Sequence, residues 1–161
     1  MNLNINRDLL KDGVKLAAVA ALGFGLSLLA PDFSVALRMK LIDYTTQEAT
    51  DEEKLEMNGC DIFHAKVNPS DLDLNDHMNN AKFVKDLNFT RRRFMIRFGI
   101  TRILQKEGKT MVVQAQTIRY RKELKRGDEF SITTEIMAVS DSENSFFVVS
   151  KFCNPLGFVL A

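Results

Sequence analysis

Ten consecutive residues concentrate most of the chemistry available to this chain. Asp71-Leu72-Asp73-Leu74-Asn75-Asp76-His77-Met78-Asn79-Asn80 carries three carboxylates, three carboxamides and one imidazole. An apolar pattern follows at once (Ala81, Val84, Leu87, Phe94, Met95, Phe98), with spacings of three, four and seven that predict a helix. A polar run that empties into a helix N-terminus gathers side chains and free backbone N–H groups at one point, which suits a developing negative charge. Asp73, Asn75 and His77 occupy alternate positions, and in an extended segment alternate side chains share a face. On that expectation a base, an amide and an imidazole converge. The same residues also suit plainer roles: Asp and Asn form turns, and Asn79 or Asn80 can cap the helix.

The ten residues resemble the DLDxNxHxNN signature of the hotdog-fold thioesterases, in the form it takes in the plant acyl-carrier-protein thioesterases. Thr117-Ile-Arg-Tyr120-Arg-Lys-Glu123 is similar to a Tyr-Arg-Arg-Glu strand of those enzymes. Arg126-Gly127-Asp128-Glu129 resembles the RPGDE turn common across hotdog acyl-CoA thioesterases. With its N-terminal apolar run included, the whole chain most resembles the thioesterase superfamily member 6 group.

The resemblance implies an α+β fold, a single antiparallel sheet wrapped around one long helix. It implies hydrolysis of a fatty acyl-CoA or acyl-carrier thioester by water, in a homodimer, without cofactor or metal. Asp73, Asn75, His77 and Glu123 are then the catalytic candidates, with Glu123 as general base for water. Asn79 and Asn80 at the helix start and Phe83 beyond them are the candidate substrate contacts, although a phenylalanine serves a core equally well. The cysteine that follows the glutamate in the plant enzymes is Leu124 here, which favours water over a cysteine nucleophile. Two other readings stay open. One is a catalytically weak, membrane-anchored acyl-binding or scaffold protein. The other, ranked lower, is an enoyl-thioester hydratase, whose Asp-x-Asn-Pro-x-His run sets its Asp and His one residue further apart.

Several elements must position these groups. Residues 60–67 alternate like a strand, which Pro69 stops. A helix is expected from about Asn80 to Phe98, with Gly99 as C-cap. Strand patterns cover 110–123, 129–139 and 145–152, separated by turns at 126–128 and 140–144. A further turn at 154–157 leads to Phe158–Ala161, the start of a last strand that is long in the family and cut short here. A strand, a long helix and further strands make an α+β arrangement, so residues 60–161 form the expected hotdog domain.

Residues 16–30 carry no charge. With Gly13, Val14 and a snorkelling Lys15 they approach the lower limit of a spanning helix, about 17 residues. A membrane anchor, a cleaved signal and a buried helix are the readings, in that order, for segment 1–31. Segment 32–59 combines an amphipathic stretch at 33–42, suited to a membrane surface or to packing on the domain, with an acidic linker (Asp51, Glu52, Glu53, Glu56). The expected location is a membrane, the endoplasmic reticulum for preference, with secretion after signal cleavage as the alternative.

With 22 basic and 21 acidic residues the net charge is +1, and nothing points to nucleic acid. There is no phosphate loop, no HExxH and no paired CxxC. Cys60 and Cys153 are far apart in sequence, and His64 and His77 are the only histidines, so neither a disulfide framework nor a metal site is expected. Arg91, Arg92, Arg93 and Arg97 are candidates for coenzyme A phosphates, though a solvated helix face explains them as well.

Overall fold

The computed structural model describes residues 31–161 apart from 141 and 143, with side chains from residue 35 onward. The expected anchor or signal at 16–30 lies outside the described residues. No described helix is long and apolar enough to cross a membrane. The chain divides after Tyr44. Helix α1 (Pro31–Thr45) takes in the 33–42 stretch, and its apolar residues are spread around the helix rather than gathered in one stripe.

The acidic linker contains a second helix, α2 (Asp51–Glu56). Its start is a capping box: the Thr50 hydroxyl accepts from Glu53 N–H at 3.2 Å, and the Glu53 carboxylate accepts from Thr50 N–H at 2.7 Å. Asp51, Glu52 and Glu53 in the first turn also suit the positive end of the helix dipole.

Three antiparallel strands follow in the spatial order β1 (Cys60–Lys66), β2 (Glu129–Ser140), β3 (Ser145–Cys153). Phe63 lies opposite Ile132, and Ile132 opposite Phe152. Phe130, Ile132 and Thr134 are buried in alternation, as the sequence pattern requires. The pairing register then shifts between Ile136 and Ala138, and Met137 at the shift and Val139 beyond it are exposed.

Helix α3 (Asn80–Arg97) packs against this sheet, and α4 (Ile100–Lys106) follows it directly. Gly99 turns the chain between them at φ 75°, where a Cβ would lie 2.5 Å from Glu48 Oε1. Phe83 reaches from α3 to Phe152 at 4.9 Å and to Tyr120 at 5.2 Å between ring centroids. Val67, Met78, Leu124, Phe130 and Ile132 complete the centre of the core. Full burial of each such side chain is worth about 1.5–3 kcal/mol.

Asp61, only 1% exposed, locks β1 to α3. Its Oδ2 lies 3.0 Å from Arg93 Nη1 and its Oδ1 2.8 Å from Arg97 Nη1. Arg91 bonds the Asn88 carboxamide and lies 3.5 Å from Gln116 Oε1. The arginines proposed for coenzyme A phosphates are therefore divided: Arg93 and Arg97 each turn Nη1 to a buried aspartate, which gives them a structural task.

The expected strand at 110–123 is a correction. That stretch is largely exposed, and no regular strand is formed there. A strand needs a neighbour to complete its backbone hydrogen bonds. Among the described residues only Arg121 and Lys122 of this stretch reach another backbone, both donating to Leu160 O at 2.9 and 3.2 Å. The expected last strand is likewise reduced to a Cys153–Val159 bridge and two bonds between Phe152 and residues 160 and 161.

Candidate active site

Residues 71–80 fold into a tight hairpin. Leu72 pairs with Met78, Asp73 N–H donates to His77 O at 2.8 Å, and Asp76 takes the left-handed conformation at φ 58°. The expected extended segment is thus corrected, and with it the shared face of Asp73, Asn75 and His77. Asp73 Oδ1 accepts from the backbone N–H of Asn75 at 2.8 Å and of His77 at 3.3 Å. Its carboxylate shapes the turn, as Asp does where it bonds its own backbone two residues on. Asn75 is exposed at the turn.

Asp71 is buried and structural. Its Oδ2 accepts from Asn68 N–H at 2.9 Å, and its Oδ1 lies 3.8 Å from Lys82 Nζ, which also pairs with Asp86. Asn79 caps α3: its Oδ1 accepts from Ala81 N–H at 2.8 Å. Phe83, expected as a substrate contact, is 3% exposed and belongs to the core. Asn80 is the first residue of α3, and its carbonyl accepts from the Tyr120 hydroxyl at 3.3 Å. Among the described residues its backbone N–H has no hydrogen-bond partner, so a donor remains at the helix start.

The structure brings His77 and Glu123 together. His77 Nε2 lies 3.0 Å from Glu123 Oε2, with the two side chains 36% and 47% exposed. Glu123 Oε1 lies 3.2 Å from Lys125 Nζ. A short backbone ladder fixes this contact: His77 bridges Lys125, and Met78 N–H donates to Leu124 O at 2.7 Å. The turn at 126–128 supports it, since Asp128 Oδ2 accepts from Lys125 N–H at 2.9 Å. Lys125 and Tyr120 were not among the sequence candidates. Tyr120 stood in the run that resembles the Tyr-Arg-Arg-Glu strand and Lys125 lay near Glu123 in the chain, but neither fact says where a side chain points.

Cys60 lies on β1, away from this pair. Burial, then the nearby Glu135 charge, pushes its thiol pKa up, the opposite of what a nucleophilic cysteine needs. Among the described residues no group of acids, histidines and cysteines could hold a metal.

Residues 67–161, more than half of the chain, match the thioesterase-like superfamily. Protein THEM6 of Danio rerio is 37% identical over 101 residues, 62% of this chain and 49% of that protein. The chain thus spans about half the length of this relative. Among solved structures, the YbaW probable thioesterase of Escherichia coli aligns with a TM-score of 0.58 at 22% identity, covering 62% of this chain and 74% of that one. BH1999 gentisyl-coenzyme A thioesterase aligns with a TM-score of 0.54 at 21% identity, covering 62% and 81%. At such identities the structural likeness speaks for the hotdog fold alone. The match over residues 67–161 carries the assignment further: this chain belongs to the thioesterase-like superfamily.

Proposed function

We propose that the protein is an acyl thioesterase that cleaves a fatty acyl-CoA or acyl-carrier thioester by water attack. The observation that carries this reading is the His77–Glu123 pair at 3.0 Å, next to the hairpin that leads into α3. A thioester is already activated, so the site must deprotonate water and stabilise an oxyanion. The imidazole–carboxylate pair supplies the proton acceptor, and the unpartnered Asn80 N–H with the α3 dipole supplies an oxyanion donor. Asp73 acts through the shape of the hairpin, and Asn75 presents a carboxamide at its tip. Asn79 sets the start of the helix. The coenzyme A named in the BH1999 enzyme supports a coenzyme A carrier here.

We also assign a homodimer, in which the unpaired stretch 110–120 pairs with its copy. An uncovered edge of this kind is otherwise an aggregation hazard. The apolar residues 16–30 supply the membrane attachment. The specific observation favouring a weaker acyl-binding or scaffold role is that, among the described residues, the stretch before Glu123 makes backbone hydrogen bonds to Leu160 alone. Free-thiol release from a panel of acyl-CoA and acyl-carrier substrates separates the two readings. Turnover establishes the enzyme, and a folded chain that binds acyl thioesters without releasing thiol establishes the binding protein. Sedimentation of the full chain at a monomer mass would refute the homodimer.

A further inference from the structure

We propose that the base at this site is His77 Nδ1, and that Glu123, itself held by Lys125, orients the imidazole. This assignment rests on the thioesterase reading above and departs from the general-base role that the family resemblance gives Glu123. The argument is one of donors and acceptors. Nε2 of His77 faces Glu123 Oε2 at 3.0 Å. A lone pair on Nε2 would face the acceptor-only carboxylate at that distance, so the neutral ring is assigned its proton at Nε2 and its lone pair at Nδ1.

Nδ1 has no partner among the described residues, and the side chain is 36% exposed, so water can reach it. Glu123 is differently placed. Oε2 lies 3.0 Å from the imidazole Nε2 and Oε1 3.2 Å from the Lys125 ammonium nitrogen. Glu123 thus sits between the ring and an ammonium, which suits it to orient the imidazole as its counter-ion. This is the logic by which an acid fixes the tautomer of a catalytic histidine and stabilises the imidazolium, here with the two ring nitrogens exchanged.

The step balances without further reagents. Water adds to the acyl carbon, forming a C–O bond as its proton passes to Nδ1. The tetrahedral oxyanion collapses, the C–S bond breaks, and the leaving sulfur takes the proton back from Nδ1. The products are a carboxylic acid and a free thiol. Lys125 acts as a positioning residue by holding the Glu123 carboxylate toward the ring.

Two measurements on the full chain test the assignment. Nitrogen-15 NMR of labelled histidine reads the tautomer directly, and only His64 needs to be distinguished from His77. The expected result is a neutral His77 protonated at Nε2; protonation at Nδ1 overturns the proposal. The second measurement is chemical rescue on any thioester that the wild type cleaves. His77→Ala should lower kcat by about 10²–10⁴-fold, and added imidazoles should restore turnover in step with their basicity. Glu123→Ala should recover with formate or acetate without regard to carboxylate basicity. The reverse pattern, with rescue of Glu123→Ala rising with basicity and none for His77→Ala, makes Glu123 the base. Lys125→Met should lower kcat at unchanged KM, with recovery in Lys125→Arg. A wild-type chain that releases no thiol sinks the thioesterase reading and the base with it. A chain that turns over with the wrong tautomer or rescue pattern sinks only this assignment.

Discussion

Asp73 is the residue on which the hairpin geometry makes its sharpest demand. Its Oδ1 accepts two backbone N–H groups, from Asn75 at 2.8 Å and His77 at 3.3 Å. Asp73→Asn keeps a side-chain oxygen in the same place but removes the charge. A hydrogen bond to a charged group is worth about 1.5–3 kcal/mol and a neutral one about 0.5–1.5. The second of these bonds is long and the carboxylate is only half-buried, so the change should cost about 1 kcal/mol. For a domain of this size that lowers Tm by roughly 4 °C, and kcat should stay within a few-fold of wild type. Asp73→Ala removes both bonds, at about 2 kcal/mol, and releases the backbone of His77. A misplacement of about 1 Å in a positioned group can cost on the order of 10²-fold, so kcat should fall by one to two decades while KM moves little. The assay is thiol release by both variants, paired with thermal melts. If Asp73→Asn melts like wild type yet loses 10²–10⁴-fold in kcat, the charge is used in the transition state and the turn-forming role is wrong.

Other expectations follow from the same contacts. Asp61→Ala leaves Arg93 and Arg97 facing each other without their shared counter-ion. The loss should be about 3 kcal/mol, at the low end for a broken buried pair, because the arginine side chains are 24% and 25% exposed; a melt unchanged from wild type would refute the lock. The Glu48 carboxyl is lowered to about 2, first by its bond to Arg102 and then by Lys54. A depressed folded-state value means stability that is present above the ordinary value of 4.5 and lost as pH falls toward 2. Arg102→Met should therefore be less stable than wild type at pH 6 and converge with it near pH 2, as read by denaturant melts. Gly99→Ala should destabilise through both its positive φ and the approach of Glu48, and Glu48→Ala should relieve only the second part. Phe83→Ala should cost about 3–5 kcal/mol and be read as a lowered Tm; a KM effect in a chain of unchanged stability would return Phe83 to the substrate site.

The sequence by itself determined the elements whose cause is local. The apolar spacing through residues 81–98 and the glycine at 99 mark α3 and its end, observed at Asn80–Arg97 with Gly99 at positive φ. Alternation marks β2, a run of aromatic and β-branched residues marks β3, and Arg126-Gly127-Asp128 marks the turn between Lys125 and β2. The ten-residue motif and the two later runs pointed to the superfamily that residues 67–161 match. What the tertiary structure alone decided depends on residues distant in the chain. Asp73, Asn75 and His77 alternate in sequence, but the Leu72–Met78 pairing closes a hairpin and turns them to different tasks. Residues 110–123 have strand-forming composition, but a strand exists only beside a partner backbone, and Leu160 offers only one carbonyl. Arg93 and Arg97 suit phosphate by type, but burial of Asp61 required a counter-charge, and these two were within reach. His77 and Glu123 meet because the backbone pairs His77 with Lys125, and that ladder aims an imidazole nitrogen at a carboxylate far along the chain.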